Sequence, residues 1–269
     1  MIEEFIYYSK DNGWRRKVNV YLPPNYNEKE SFPVIYCFDG ANLYDGKNSL
    51  SGRAWDISLS LDEMVNNGLS EGYIVVGIYT RKTGEHRMHE YSPVLLKNRF
   101  LKNYEKREKY EALGDMTLHF FDEVRSVIES NYKTNGVNHI LGSSMGGIMS
   151  LYSLMKRGNV YRTAGIFSIG SFLLEDSFDN DFKNTRFSDF HKAFIFTGDR
   201  EGNKMIESAK HTFDVLSKKG VKTELLFGKN MVHTESTWAF GFKKYIEFIE
   251  NRYIKEENLW KVFFFIVFV

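Results

Sequence analysis

The 269-residue chain has one cysteine, Cys37, and only four prolines. A lone thiol excludes an internal disulfide, so packing must hold the fold; it also suits a reducing compartment, and a cytoplasmic location is the expectation. Neither sign of charge is in excess. Lysine and arginine number 36 against 35 aspartates and glutamates, leaving a net +1. That removes the electrostatic case for nucleic acid or an anionic membrane as partner. No apolar run approaches the roughly 20 residues of a spanning helix, so no membrane span is expected. The N-terminus lacks the basic stretch and apolar run of a secretory signal. Repeats and low-complexity blocks are missing too. The one compositional oddity is the apolar tail at about residues 260–269, where Val262–Val269 is almost wholly aliphatic and aromatic. It reads as a packed strand or tail in preference to an interfacial anchor.

What is present is ordinary for a globular protein: 42% hydrophobic and 26% charged residues. The length suits a single α/β domain over 1–269. Two β-rich stretches, Glu4–Ser9 and Lys17–Leu22, flank an Asp11-Asn12-Gly13 turn. Six short apolar runs follow, at Val34–Phe38, Ile74–Tyr79, His139–Leu141, Ala164–Phe167, Phe194–Thr197 and Leu225–Phe227. Runs of that length suit a buried parallel sheet. Helical patterns alternate with them. Asp115 is placed to cap a helix with Met116, Phe120, Val124, Val127 and Ile128 inward. A second spans about Lys204–Lys218, with Gly220 as its stop, and a third about Trp238–Arg252. The alternation predicts a mostly parallel sheet of about eight strands with helices on both faces. The densely charged Lys97–Glu111 reads as a solvated segment, with a cap over the site as the other reading.

The most informative segment runs from His139 to Gly147 and reads strand, tight turn, helix. Gly142-x-Ser144-x-Gly146 is the pattern of a nucleophile elbow. The serine sits at a strained turn, and the flanking glycines let strand and helix approach closely. The hydroxyl is lifted beside a helix N-terminus, whose N–H groups face a developing oxyanion. Ser143 competes but lacks the symmetric glycine spacing.

A serine hydroxyl needs a neighbouring base. In this arrangement the chain order is serine, acid, histidine. His211 falls within a helical pattern, whereas His233 follows the last strand in a loop, which makes His233 the base. The acid belongs after Phe194–Thr197, where Asp199 and Glu201 both qualify and the residues alone leave the choice open. The second oxyanion donor belongs after an early strand. Gly40 permits a path that aims the Ala41 N–H at the site, and Met145 supplies the other N–H.

Together these segments resemble the putative-esterase family of α/β-hydrolases, which includes siderophore esterases, feruloyl esterases and mycolyltransferases. The resemblance rests on Asp39–Asp45, Ala54–Asp56, Val75–Ile78, Arg87–Pro93, Gly142–Gly147, Gly198–Gly202 and His233–Trp238, in the family's order. It implies an ester-hydrolysing Ser–His–acid site with no metal and no cofactor, acting on a small-molecule ester. It also implies Glu201 over Asp199, because relatives tend to carry the carboxylate three positions after the loop glycine; some relatives use a Ser–His dyad. Ala41 replaces a frequent glutamine, and Ser168–Phe172 lacks a frequent proline and tryptophan, so specificity is the less determined part.

Asn42, Trp55, Arg87 and Trp238 are the candidate substrate contacts, with Tyr44 as a further pocket aromatic. Arg87 is expected to pair with Glu90 and brace the site's edge, with an anionic substrate as its other partner. The His86-x-x-His89-Glu90 spacing is not that of a zinc protease and reads as a loop polar network. Cys37, in a buried strand, reads as inert packing. Acyl transfer to another alcohol would use the same residues, and a non-catalytic binding protein is the rival from another class.

Overall fold

The computed structural model describes residues 1–48, 52–81, 84–101 and 110–251. Its strands are β1 (Ile2–Tyr8), β2 (Arg15–Tyr21), β3 (Phe32–Cys37), β4 (Ile74–Ile78), β5 (Thr134–Ser143), β6 (Tyr161–Phe167), β7 (Lys192–Gly198) and β8 (Lys222–Gly228). They form one sheet in the order β1-β2-β4-β3-β5-β6-β7-β8. β1 and β2 form a hairpin, closed by Gly13 at φ 70° and by Asn12 Oδ1, which accepts the Trp14 N–H at 2.9 Å. β2 also runs antiparallel to β4, and the remaining neighbours are parallel. Every strand expected from the apolar runs is present.

Residue parity explains why the sheet is covered on both faces. In β3, Phe32, Val34 and Tyr36 face one core while Ile35 and Cys37 face the other. In β7, Ala193 and Ile195 oppose Phe194 and Phe196 in the same way. Strands buried on both faces need no polar alternation, which is why they read as continuous apolar runs. The helices are α1 (Ile57–Asn66), α2 (Gly84–Glu90), α3 (Gly114–Asn131), α4 (Met145–Lys156), α5 (Asp176–Asn184), α6 (Asn203–Lys218) and α7 (Glu235–Glu250). Apolar residues of α3, α4 and α6 join the first core, and those of α1 and α7 join the second. This is the α/β-hydrolase arrangement.

Some local expectations shift. Asp115 lies in the first turn of α3, after an N-cap at Leu113, and accepts the Tyr152 hydroxyl at 2.7 Å. Met116 is exposed, because the buried stripe runs through Thr117, Phe121, Val124 and Ile128. One residue is about 100° of helix, enough to turn Met116 out of that stripe. α7 starts three residues before Trp238, at Glu235. The charged 102–109 and the apolar tail lie outside the described residues. Among the described residues no helix is long and apolar enough to cross a membrane.

One buried group makes stability pH-dependent. His139 of β5 is 2% exposed, its ring edge-on to Tyr73, and Nδ1 has no hydrogen-bond partner among the described residues. Desolvation by burial, helped by Arg162 and Lys192, pushes its pKa down to about 3. The folded state therefore holds His139 neutral, while the unfolded chain protonates it below about 6.5. Its contribution is complete above that value and is lost as pH falls toward the folded pKa, by about 2 kcal/mol between pH 6.5 and 5. Urea unfolding across that range should show a shallower acid limb in His139→Leu. Parallel limbs would refute the assignment.

Candidate active site

Strand ends, not strand interiors, carry the site. β5, β6, β7 and β8 are parallel neighbours, and the segments following their C-terminal ends hold Ser144, Ser168, Glu201 and His233. Parallel α/β sheets place ligand sites at that edge because successive loops converge there.

Ser144 stands between the last residue of β5 and the first of α4, at φ 58°, ψ −118°. A non-glycine residue there costs on the order of 1–3 kcal/mol and persists only when its surroundings impose it. Two features impose it here. The Ser144 N–H is held by Phe167 O at 2.9 Å. A Cβ at Gly142 would lie 2.4 Å from the Gly146 carbonyl oxygen, so strand and helix meet at a separation only glycine allows. Met145 opens α4, and the first N–H groups of a helix have no intrahelical acceptor. Ser143 is buried at the end of β5.

The two carboxylates after β7 are separated by geometry. Glu201 Oε2 lies 2.7 Å from His233 Nδ1, and the Glu201 side chain is fully buried. Its Oε1 accepts the Gly198 N–H and the Ser168 hydroxyl, both at 2.7 Å. Asp199 is exposed and its N–H bonds Gly228 O, while Arg200 bonds Asn230 rather than a carboxylate. Ser168 is a partner that sequence reasoning missed. It is fully buried at φ 44°, and its Oγ also accepts Trp238 Nε1–H at 2.8 Å. Trp238 meets His233 edge-on, with centroids 4.9 Å apart. Its position just after β6 is the one signal that could have marked Ser168.

Ala41 lies in a 3-10 turn, Gly40–Asn42, that follows β3. Asp39 enters the turn in the left-handed region, at φ 56°, ψ 50°. Arg87 grips both Asp39 oxygens, at 2.6 and 2.7 Å, and the Asp39 N–H donates to the Tyr91 hydroxyl at 2.8 Å. A Cβ on Gly40 would come 2.6 Å from the Gly77 backbone. The turn is thus clamped from α2 and seated on β4. This corrects the expected Arg87–Glu90 pair: Glu90 is engaged by Arg16 at 2.7 Å, on side chains 5% exposed. The His86–Glu90 stretch is helical, not a loop. Tyr91 lies one turn after Arg87, its N–H bonded to Arg87 O at 2.9 Å, so both side chains reach Asp39.

Ser144, His233, Ala41, Asn42, Arg87 and Trp238 line one cavity of about 970 Å³. Trp55 and Tyr44 do not line it, contrary to expectation. Trp55 is 1% exposed, stacked on Phe167 and beside Trp238, and its backbone N–H bonds Asn42 O. Tyr44 stacks on Tyr21 and donates to Val75 O. Both belong to the core under the site. His211 lies in α6, with Nε2 2.6 Å from Asp179. Cys37 is fully buried, which pushes its thiol pKa well up. Asp11, His119 and Glu123 bring ligand atoms within 4.8 Å of one another, but none of them lines this cavity.

Comparison with solved structures gives the same fold. The BES protein from Bacillus cereus superposes with a TM-score of 0.73 at 19% identity, covering 94% of this chain and 95% of that one. Siderophore hydrolase EstA from Aspergillus nidulans gives 0.67 at 16%, over 93% and 94%. The CE1 ferulic acid esterase from the anaerobic fungus Anaeromyces mucronatus gives 0.65 at 18%, over 92% and 89%. Among curated proteins none matches. The family model described as putative esterase matches residues 9–220, most of the chain. The chain belongs to the putative esterase family and is an enzyme acting on esters.

Proposed function

We propose that the chain hydrolyses carboxylic esters of small molecules through an acyl-enzyme on Ser144. The observation that carries this reading is the buried Glu201 bonded at 2.7 Å to His233, which shares a cavity with the strained Ser144. Glu201 Oε1 is already occupied by two donors, so Oε2 is left to accept from Nδ1–H. That tautomer presents Nε2 as the acceptor.

Ser144 Oγ then attacks the ester carbonyl as His233 takes its proton. The N–H groups of Ala41 and Met145 bind the tetrahedral oxyanion. His233 returns the proton to the leaving alcohol. Water enters, gives its proton to His233, attacks the acyl-enzyme, and the carboxylic acid departs as Ser144 regains its proton. Glu201 stays ionised throughout, holding the ring and stabilising the imidazolium. The strain at Ser144 keeps the hydroxyl at the turn, and the Asp39–Arg87 clamp keeps the Ala41 segment in place.

A fluorophosphonate probe tests this directly. Intact mass should rise by one phosphonyl group, and peptide mapping should place it on Ser144. Labelling at Ser143, or equal labelling in a Ser144→Ala variant, would overturn the assignment.

A further inference from the structure

The reaction needs no cationic side chain, yet the cavity is rich in them. Arg15, Arg16, Lys17, Lys47, Arg81 and Arg87 line it, against the carboxylates Asp39 and Glu235. The whole chain carries only +1. Both carboxylates act on one cation: Asp39 is bidentate to Arg87, and Glu235 adds to the field at the same guanidinium. The other five cations are left without a counter-charge from the cavity lining.

Arg15 and Lys17 share one face of β2, whereas Arg16, between them, turns to the other face, toward Trp14 and Glu90. β2 runs antiparallel to β4 with Val18 opposite Ile78, and Tyr79 N–H bonds Lys17 O at 3.1 Å. Arg81 follows two residues after Tyr79 and lines the same cavity as Arg15 and Lys17. Like charges gathered around one cavity repel one another. Partners elsewhere relieve them only in part. Lys17 meets Glu4 at 2.6 Å, but both side chains are partly exposed and such pairs contribute little. Glu90 is bonded by Arg16 and lies in the field of Arg81. Arg16 is 6% exposed, yet its Nε has no hydrogen-bond partner among the described residues. Among the described residues neither Arg15 nor Lys47 has a carboxylate within ion-pair distance. Asp45 accepts the Lys47 backbone N–H at 3.0 Å and lies in the field of Lys17. An apolar ester would offer Arg15, Lys47 and Arg81 no charge of its own.

We infer that the preferred substrate is an anionic ester, carrying a carboxylate or phosphate that the Arg15, Lys47 and Arg81 side chains lining the cavity receive while its carbonyl lies at Ser144. This rests on the proposed ester hydrolysis and names its substrate class. Cations lining a cleft raise the local concentration of an anion and favour its binding. The preference therefore belongs in KM and depends on salt.

The test compares matched activated esters on the intact protein, each rate divided by its hydroxide-catalysed rate. para-Nitrophenyl hemisuccinate is set against para-nitrophenyl butyrate for a charge on the acyl side. para-Acetoxybenzoate is set against its methyl ester for a charge on the alcohol side, and para-acetoxyphenyl phosphate distinguishes phosphate from carboxylate. At low salt at least one anionic ester should exceed its neutral partner by about tenfold in kcat/KM, mostly through KM. At about 0.5 M NaCl most of that ratio should vanish. Lys47→Glu and Arg81→Glu, both at exposed positions, should each lower the ratio about tenfold. Neutral esters matching or beating every anionic one would overturn the inference while leaving ester hydrolysis standing. A ratio unmoved by salt and by both variants would overturn the role of these cations. Wild-type rates no higher than Ser144→Ala on every ester would instead refute the underlying reading.

Discussion

Ser144→Ala should lower kcat on an activated ester by a factor on the order of 10⁶, as removal of a serine nucleophile does elsewhere. KM should change little, because the hydroxyl adds almost nothing to ground-state binding. Stability gives an independent readout. Ser144 is held at φ 58° by its own N–H bond to Phe167 and by the Gly142–Gly146 contact, and neither uses the hydroxyl. The variant should therefore unfold within about 0.5 kcal/mol of the parent, the range of changes that leave packing alone. Residual activity above a hundredth of wild type, with contaminating esterase excluded by active-site titration, would remove Ser144 from its role. Unfolding at much lower urea would show the hydroxyl to be structural.

Glu201→Gln is the second large effect. The amide keeps the volume, but one of its two heads must donate. Oε1 receives the Gly198 N–H and the Ser168 hydroxyl, so the carbonyl belongs there. The NH₂ would then face His233 Nδ1, which forces the proton to Nε2 and deprives Ser144 of its acceptor. An imidazole in the wrong tautomer, with no carboxylate to stabilise its cation, costs about 10⁴-fold in kcat in a comparable triad. Asp199→Asn, on an exposed carboxylate, should stay within about twofold. Measuring kcat for both variants, with circular dichroism to exclude unfolding, decides between them. A large loss in Asp199→Asn beside a small one in Glu201→Gln would reverse the assignment. Small losses in both would mean a Ser–His dyad.

Much of this molecule is written locally. Apolar runs such as Val34–Cys37 and Phe194–Thr197 are buried on both faces, so their composition alone marks them as central strands. The Gly142–Gly146 elbow is equally local, because its steric demand falls on five consecutive residues. The loop position of His233 after β8 and the helical position of His211 are local features as well.

The remainder depends on residues far apart in the chain. Asp199 and Glu201 are two residues apart and chemically alike; only the arrival of Ser168 from β6 and His233 from β8 distinguishes them. Arg87 could be paired with Glu90 on paper, yet it meets Asp39 from 48 residues away, while Glu90 meets Arg16 across 74. Trp55 and Trp238 read alike as aromatics. The fold lays one on the other, leaving only Trp238 at the cavity. Composition reports a net charge near zero, and only the fold gathers six cationic side chains around one cavity. The division has a physical basis. Burial and backbone strain act on neighbouring residues and leave a periodic or short-range mark in the sequence. Hydrogen bonds and ion pairs between side chains act over about 3 Å in space, with no constraint on separation along the chain.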